Sequence, residues 1–270
     1  MNKLTDLAML TGYQINIQKM KNMRIIYSII ICGISFLSSV NAQDSIRIHG
    51  HVTDFNSKPI DSVWVSVKDK NFNSRYEGLT DKNGYFSITV AKGNYHCIYA
   101  IKLADYGKTK LEYWAWNIPA YKDMEINPQY ERMEIYGING FEPQVSPYET
   151  YMVYFRPMSL SKSLKWQGEG NKKMQEKKAN INHDTINISP ISISKEELKV
   201  SVNDIPTEVV SIKKVVEYGR GAYLYGFLIQ ILKPKNETQI NNDFDKISII
   251  LHSRETDEWG KGEYFIKKIK

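Results

Sequence analysis

The chain has 270 residues, 36 Lys and Arg against 30 Asp and Glu, a formal net charge of +6, and two cysteines. Four basic residues and one acidic residue fall within 1–42, so the remainder carries +3. That balance is too even, and its excess too confined to one segment, for a nucleic-acid-binding surface. Beyond residue 42 only Cys97 remains, which excludes an intrachain disulfide there.

In chain order, Met1 to Lys19 shows no pattern. Met20-Lys21-Asn22-Met23-Arg24 then gives a basic start, Ile25 to Val40 an apolar core, and Val40-Asn41-Ala42 a small-x-small end. These are the three parts of a secretory signal peptide. Residues 1–42 are expected to be a signal-peptide region that starts at Met20 and is cleaved after Ala42. Ile25–Leu37 is short for a spanning helix and contains Ser28, Gly33 and Ser35, so no transmembrane segment is expected after cleavage. Ile31, directly before Cys32, is not the small residue that a lipid-attachment site needs. The expected location is the periplasm or the outer cell surface.

From Ile46 the pattern turns to short strands. Ile46, Ile48, Gly50 and Val52 share one face of the first, against Arg47, His49, His51 and Thr53 on the other. Val63, Val65 and Val67 alternate with Trp64, Ser66 and Lys68, and Phe86, Ile88 and Val90 with Tyr85, Ser87 and Thr89. Each segment has a polar face, the mark of a sheet buried on one side. Asn83-Gly84 suits a tight type I′ hairpin, Pro59 sits just ahead of a strand, and Gly93 marks the next turn. Together these segments, through Gly93-Asn94-Tyr95, resemble the carboxypeptidase regulatory-like domain, a transthyretin-like β-sandwich. In the enzymes that carry it, such a domain is an appendage rather than the catalytic part.

Beyond that signature, Leu111–Trp116, Arg132–Gly137 and Tyr151–Phe155 read as further strands around an aromatic, turn-rich stretch from Pro119 to Pro128. They are expected to complete a first sandwich over 43–158. Residues 159–184 hold Lys162, Lys165, Lys172, Lys173, Lys177 and Lys178 without apolar periodicity and read as a lysine-rich linker. Period-two alternation returns with Leu198, Val200 and Val202. Ser194-Lys195-Glu196-Glu197 spells a capping box, but the alternation directly after it overrules a helix. Strands over 208–218, 222–232, 246–252 and 263–269 complete an all-β second domain, 185–270, with the pattern of an immunoglobulin-like sandwich.

Chemistry-bearing motifs are sparse. His252-Ser253-Arg254-Glu255 spells the H-x-x-E of a zinc carboxypeptidase, but no later histidine supplies a third ligand. His49 and His51 project from one strand face without an identifiable acidic or cysteine partner. Glu255, Asp257 and Glu258 lack the dense oxygen spacing of a calcium loop. Neither a nucleophile elbow nor a phosphate loop is present. No metal or cofactor is expected.

The candidate surface is aromatic. Trp114 and Trp116 share a strand face with Glu112, and Asn117 and Tyr121 follow closely. Flat rings beside polar groups can grip sugars, or this face can pack beneath Pro119–Pro128 or against the second domain. The expected function is therefore a non-enzymatic interaction or scaffold module of the bacterial cell envelope, with an envelope protein or glycan as partner. A carbohydrate-binding protein using Glu112, Trp114, Trp116, Asn117 and Tyr121 is the alternative, and a zinc hydrolase a distant one.

Overall fold

The computed structural model describes residues 44–145, 149–167, 188–219, 222–235 and 243–268. The signal-peptide region therefore lies outside the described residues, as does the lysine-rich segment from residue 168 onward. The fold is all-β. Strand β1 spans Ser45–His51, β2 Trp64–Lys68, β3 Ser74–Leu79, β4 Tyr85–Ala91 and β5 Gly93–Ile101. They are followed by β6 (Tyr113–Ala120), β7 (Met124–Glu125), β8 (Met133–Phe141) and β9 (Thr150–Ser159). The C-terminal third adds β10 (Leu198–Val202), β11 (Ile205–Thr207), β12 (Val209–Gly219), β13 (Ala222–Leu232), β14 (Phe244–Ser253) and β15 (Glu258–Lys267). Among the described residues no helix is long and apolar enough to cross a membrane.

These strands form a three-stranded sheet (β4-β1-β7), an eight-stranded sheet (β11-β10-β14-β15-β6-β5-β2-β3) and a four-stranded sheet (β12-β13-β9-β8). The alternation read in the first strands is realised. Ile46, Ile48 and Gly50 of β1 point inward and pair in register with Val90, Ile88 and Phe86 of β4. Gly50 must be glycine, because a Cβ there would lie 1.8 Å from the Ile126 carbonyl oxygen.

Two cores lie on opposite faces of the eight-stranded sheet. The first gathers Ile48, Val65, Val67, Phe86, Ile88, Ile98, Tyr113, Ala115 and Ile118 beneath the three-stranded sheet. The second gathers Cys97, Trp114, Trp116, Ile135, Val153, Phe155, Phe227, Ile229, Ile247 and Ile249 beneath the four-stranded sheet. Neighbours on one strand thus serve different cores: Cys97 and Ile98 on β5, Trp114 and Ala115 on β6. Strand β6 is buried on both faces, as its burial pattern shows. That is the environment in which a strand loses its polar side.

This arrangement corrects the expected division into sandwiches at 43–158 and 185–270. The expected first sandwich includes β8 and β9, but β9 pairs with β13 from Phe155↔Phe227 to Thr150↔Leu232. Strand β15 pairs in parallel with β6 over three residues, Gly262–Tyr264 with Trp114–Trp116. Residues Ser45–Lys270 accordingly form one compact unit. The physical reason is area: β6 cannot cover its tryptophan face without the later strands. The start of the expected linker is also structured. Residues 160–167 are helical, and Ser161 donates its backbone N–H and its hydroxyl to the buried Glu258 carboxylate, at 3.0 and 2.6 Å.

Two local expectations change as well. Asn83-Gly84 does not close a hairpin, since β3 and β4 belong to different sheets. Only Gly84 has positive φ (75°) at this corner, and the Asp81 carboxylate accepts the N–H groups of Asn83 and Tyr85 at 2.8 and 2.9 Å. The chain crosses there from one sheet to the other. At Ser194 the capping box holds one 3₁₀ turn, with Glu197 accepting the Ser194 N–H at 2.8 Å, and β10 begins at once.

Candidate functional site

The tryptophan face is core. Trp114 and Trp116 are 7% and 6% exposed, and their rings stack at 5.1 Å between centroids. Tyr136 and Phe72 each meet both indoles edge-on. The expected glycan platform on Glu112, Trp114 and Trp116 is thereby corrected: the four-stranded sheet covers one flank of the rings, and Phe72 of the β2–β3 loop reaches them too. Glu112 is buried as well, and burial pushes its carboxyl up to about 7. Glu134 beside it accepts the Trp114 indole N–H at 2.7 Å, and burial, reinforced by Glu112, raises its carboxyl far above the usual range. The charged residue that suggested solvent is a desolvated acid within the protein.

The other two candidates, Asn117 and Tyr121, are accessible. After Trp116 the parallel seam between β6 and β15 ends. Asn117 adopts a left-handed conformation (φ 57°), and its Nδ2 donates to the Phe265 carbonyl at 2.6 Å. A side-chain amide thus takes over from the backbone ladder, and the strands part. Two clefts border this point and share Asn94 and Asn117. One, of about 610 Å³, is lined by Asp69, Arg75, Tyr95, His96, Trp116 and Tyr264, among others. The other, of about 680 Å³, is lined by Tyr121, Met124, Phe244 and Phe265 with Lys122, Lys246 and Lys267. Tyr264 borders the first and its neighbours Phe265 and Lys267 the second, so they open on opposite faces of the sheet.

Their electrostatics differ. In the first cleft burial, and then Lys70, push His96 below the ordinary imidazole range. In the second, burial opposes the charge of Lys246, but Glu263 and Asp204 outweigh it and hold the ammonium protonated. A smaller notch next to it, about 250 Å³, sets Lys246 and Lys261 against Glu125, Asp204 and Glu263. Glu263 is consumed structurally there, accepting the Tyr113 hydroxyl at 2.6 Å and pairing with Lys261 at 3.0 Å. Rings, carboxamides and ammonium groups can bind and orient a ligand. The thiol nearest the tryptophans is not activated, since burial pushes Cys97 up to about 12.

The remaining sequence candidates hold structural positions. His49 and His51 both lie against Tyr85, at 6.5 and 5.2 Å between ring centroids. His252 stacks on Trp259 at 4.0 Å and bonds Asp257, while Glu255 turns to Lys162 and the Ile191 N–H. The two ends of the H-x-x-E segment therefore serve different partners. Sequence reasoning missed Asn94, Asn203, Phe244, Lys246, Phe265 and Lys267, which reach the second cleft from strands and turns remote in sequence. The local signal was Asn117 and Pro119 within an otherwise apolar strand, which marks a break.

No family model and no curated protein matches this chain. Among solved structures it is similar to BcpA, the major pilin subunit of Bacillus cereus, with 12% identity over 83% of this chain and 69% of that one, TM-score 0.25. It is similar also to the full-length major pilin SpaD of Corynebacterium diphtheriae, with 10% identity over 84% and 65% of the two chains, TM-score 0.26. A DUF3823 family protein from Parabacteroides merdae ATCC 43184 gives 9% identity over 83% and 98%, TM-score 0.24.

Proposed function

We propose that this chain is an exported, non-enzymatic binding module of a bacterial cell envelope, and that it engages its partner where β6 and β15 part. The segments from Ile46 to Tyr95 resemble a carboxypeptidase regulatory-like domain, an appendage rather than a catalytic part, and the later strands pair with β6 and β9. The observation that carries this reading is the second cleft. Its walls come from both halves of the chain, and Tyr121 there is 52% exposed although it follows a strand that is otherwise buried. Export is supported by the basic, apolar and small-x-small succession from Met20 to Ala42.

The test has two arms. Cell fractionation with intact mass should place the protein in the envelope, beginning at Gln43. The labelled protein should bind purified envelopes saturably, and Tyr121→Ala with Lys267→Glu should lower that binding at least tenfold. Cytoplasmic protein retaining residues 20–42, or binding indifferent to both changes, would overturn the reading. Exposed ring and amide groups favour a glycan over a protein partner as the occupant.

A further inference from the structure

We infer that the second cleft is a subsite for an acidic oligosaccharide, one whose sugars carry carboxylates. This rests on the binding-module reading and goes beyond it in naming the ligand's chemistry. Three kinds of group converge there. Tyr121 offers a half-exposed ring, and Phe244 and the largely buried Phe265 line the same cleft. Asn94 lines it with a carboxamide, which can both donate and accept, and Asn117 with its amide oxygen, its Nδ2 being given to Phe265, while Asn203 is held at both ends, donating to Asp245 and accepting the Lys246 N–H. Lys122, Lys246 and Lys267 face a single acidic lining residue, Asp243. Sugar C–H faces pack on aromatic rings, hydroxyls bond to carboxamides, and carboxylates pair with ammonium groups.

The ammonium groups are not equivalent. Lys246 is already paired with Asp204 at 2.7 Å. Lys267 is exposed and has no ion-pair partner among the described residues. It stands in β15 two residues beyond Phe265, on the same face, so a ligand lying on the rings would meet its charge. The cleft's volume falls within the ~300–1,000 Å³ of small-ligand sites, which fits a short sugar segment rather than a folded partner.

An acidic peptide strand would need the same lysines, but the strand edges disfavour it. Adding a strand to a sheet depends on free backbone donors and acceptors along the edge. Pro119 has no N–H, and the Phe265 carbonyl is already taken by Asn117. The edge is therefore blocked at the point where a peptide would have to pair, while the side chains around it remain available.

Calorimetry on the exported protein, with tetragalacturonate and tetramannuronate as probes, tests this directly. At least one should bind, with affinity falling tenfold or more between low and high salt. Methyl esterification of the same oligosaccharide should cost at least tenfold. Lys267→Glu and Tyr121→Ala should each weaken binding at least tenfold with the melting temperature unchanged, since both side chains are exposed. Equal binding of esterified and free forms would overturn the charge assignment. Competition by an acidic peptide at the same site would replace the sugar by a strand. Absence of binding by both probes, with envelope binding intact, would overturn the inference and leave the module reading standing.

Discussion

Trp114 and Glu134 meet through a 2.7 Å hydrogen bond between the indole N–H and a carboxylate oxygen, both side chains buried beneath the four-stranded sheet. The bond gives the indole its polar partner and the acid a donor, so the two groups share one solution to desolvation. Trp114→Ala removes both the packing and the donor. It should cost at least the 3–5 kcal/mol typical of a buried aromatic. Trp114→Phe keeps most of the packing and should cost about 1–3 kcal/mol for the orphaned carboxyl. Urea denaturation checks the order; two equal and small losses would mean that this face is not core.

Phe72 tests how the tryptophans are covered. It is 42% exposed yet lies edge-on to Trp114, Trp116 and His96. Phe72→Ala should raise acrylamide quenching of tryptophan fluorescence and shift emission to the red. The stability loss should stay below about 2 kcal/mol, because much of the ring already faces water. Unchanged quenching would show that the four-stranded sheet alone seals the pair.

Glu112 makes stability depend on pH. Burial raises its carboxyl from 4.5 to about 7, so the folded state holds the proton more tightly than the unfolded state. That contribution is complete below about pH 4.5 and is lost as the pH rises through about 7. Glu112→Gln should therefore stabilise the protein at about pH 8, by up to about 3 kcal/mol, and leave it little changed at about pH 4. Denaturation across this range reads the effect. A variant curve parallel to that of the parent would rule out Glu112 as the titrating group.

The fused architecture predicts the outcome of a chain break. Trypsin should cut among Lys172, Lys173, Lys177 and Lys178, in the segment outside the described residues. Because β9 pairs with β13 and β6 with β15 across that segment, the two pieces should elute together and separate only in denaturant. Separation in native buffer would restore two independent domains.

Asn117 should tolerate glycine better than valine. Its left-handed backbone costs a β-branched residue about 1–2 kcal/mol, whereas glycine loses only the amide bond to Phe265. Thermal melts of Asn117→Gly and Asn117→Val give the difference; equal melts would place the bend elsewhere.

How much of this was legible follows from which residues see one face and which see two. Ile46–Val52 and Phe86–Val90 line a sheet with one wet side, so their alternation carried the fold. Tyr113 to Trp116 lie in a strand buried on both faces, where no polar side exists to mark direction. Glu112, the charge adjoining that strand, pointed the wrong way because a carboxyl kept neutral by burial looks charged in the sequence. The Lys-rich stretch marked a break in composition, but pairing across it depends on partners more than 70 residues away in sequence. The second cleft is legible only at Asn117 and Tyr121. Its other walls are brought there by the strand order.

The parallel seam also sets a timetable. The Tyr113 hydroxyl waits for Glu263, 150 residues later, and β15 is the last of the described strands. A chain that emerges N-terminus first leaves the outer edge of β6 unpaired until β15 has followed. Contacts so distant in sequence form slowly, and an open apolar edge invites pairing with other chains. The outer edge of β6 thus matures long after β6 itself has appeared, and a chain stalled before residue 258 would be the species most exposed to aggregation.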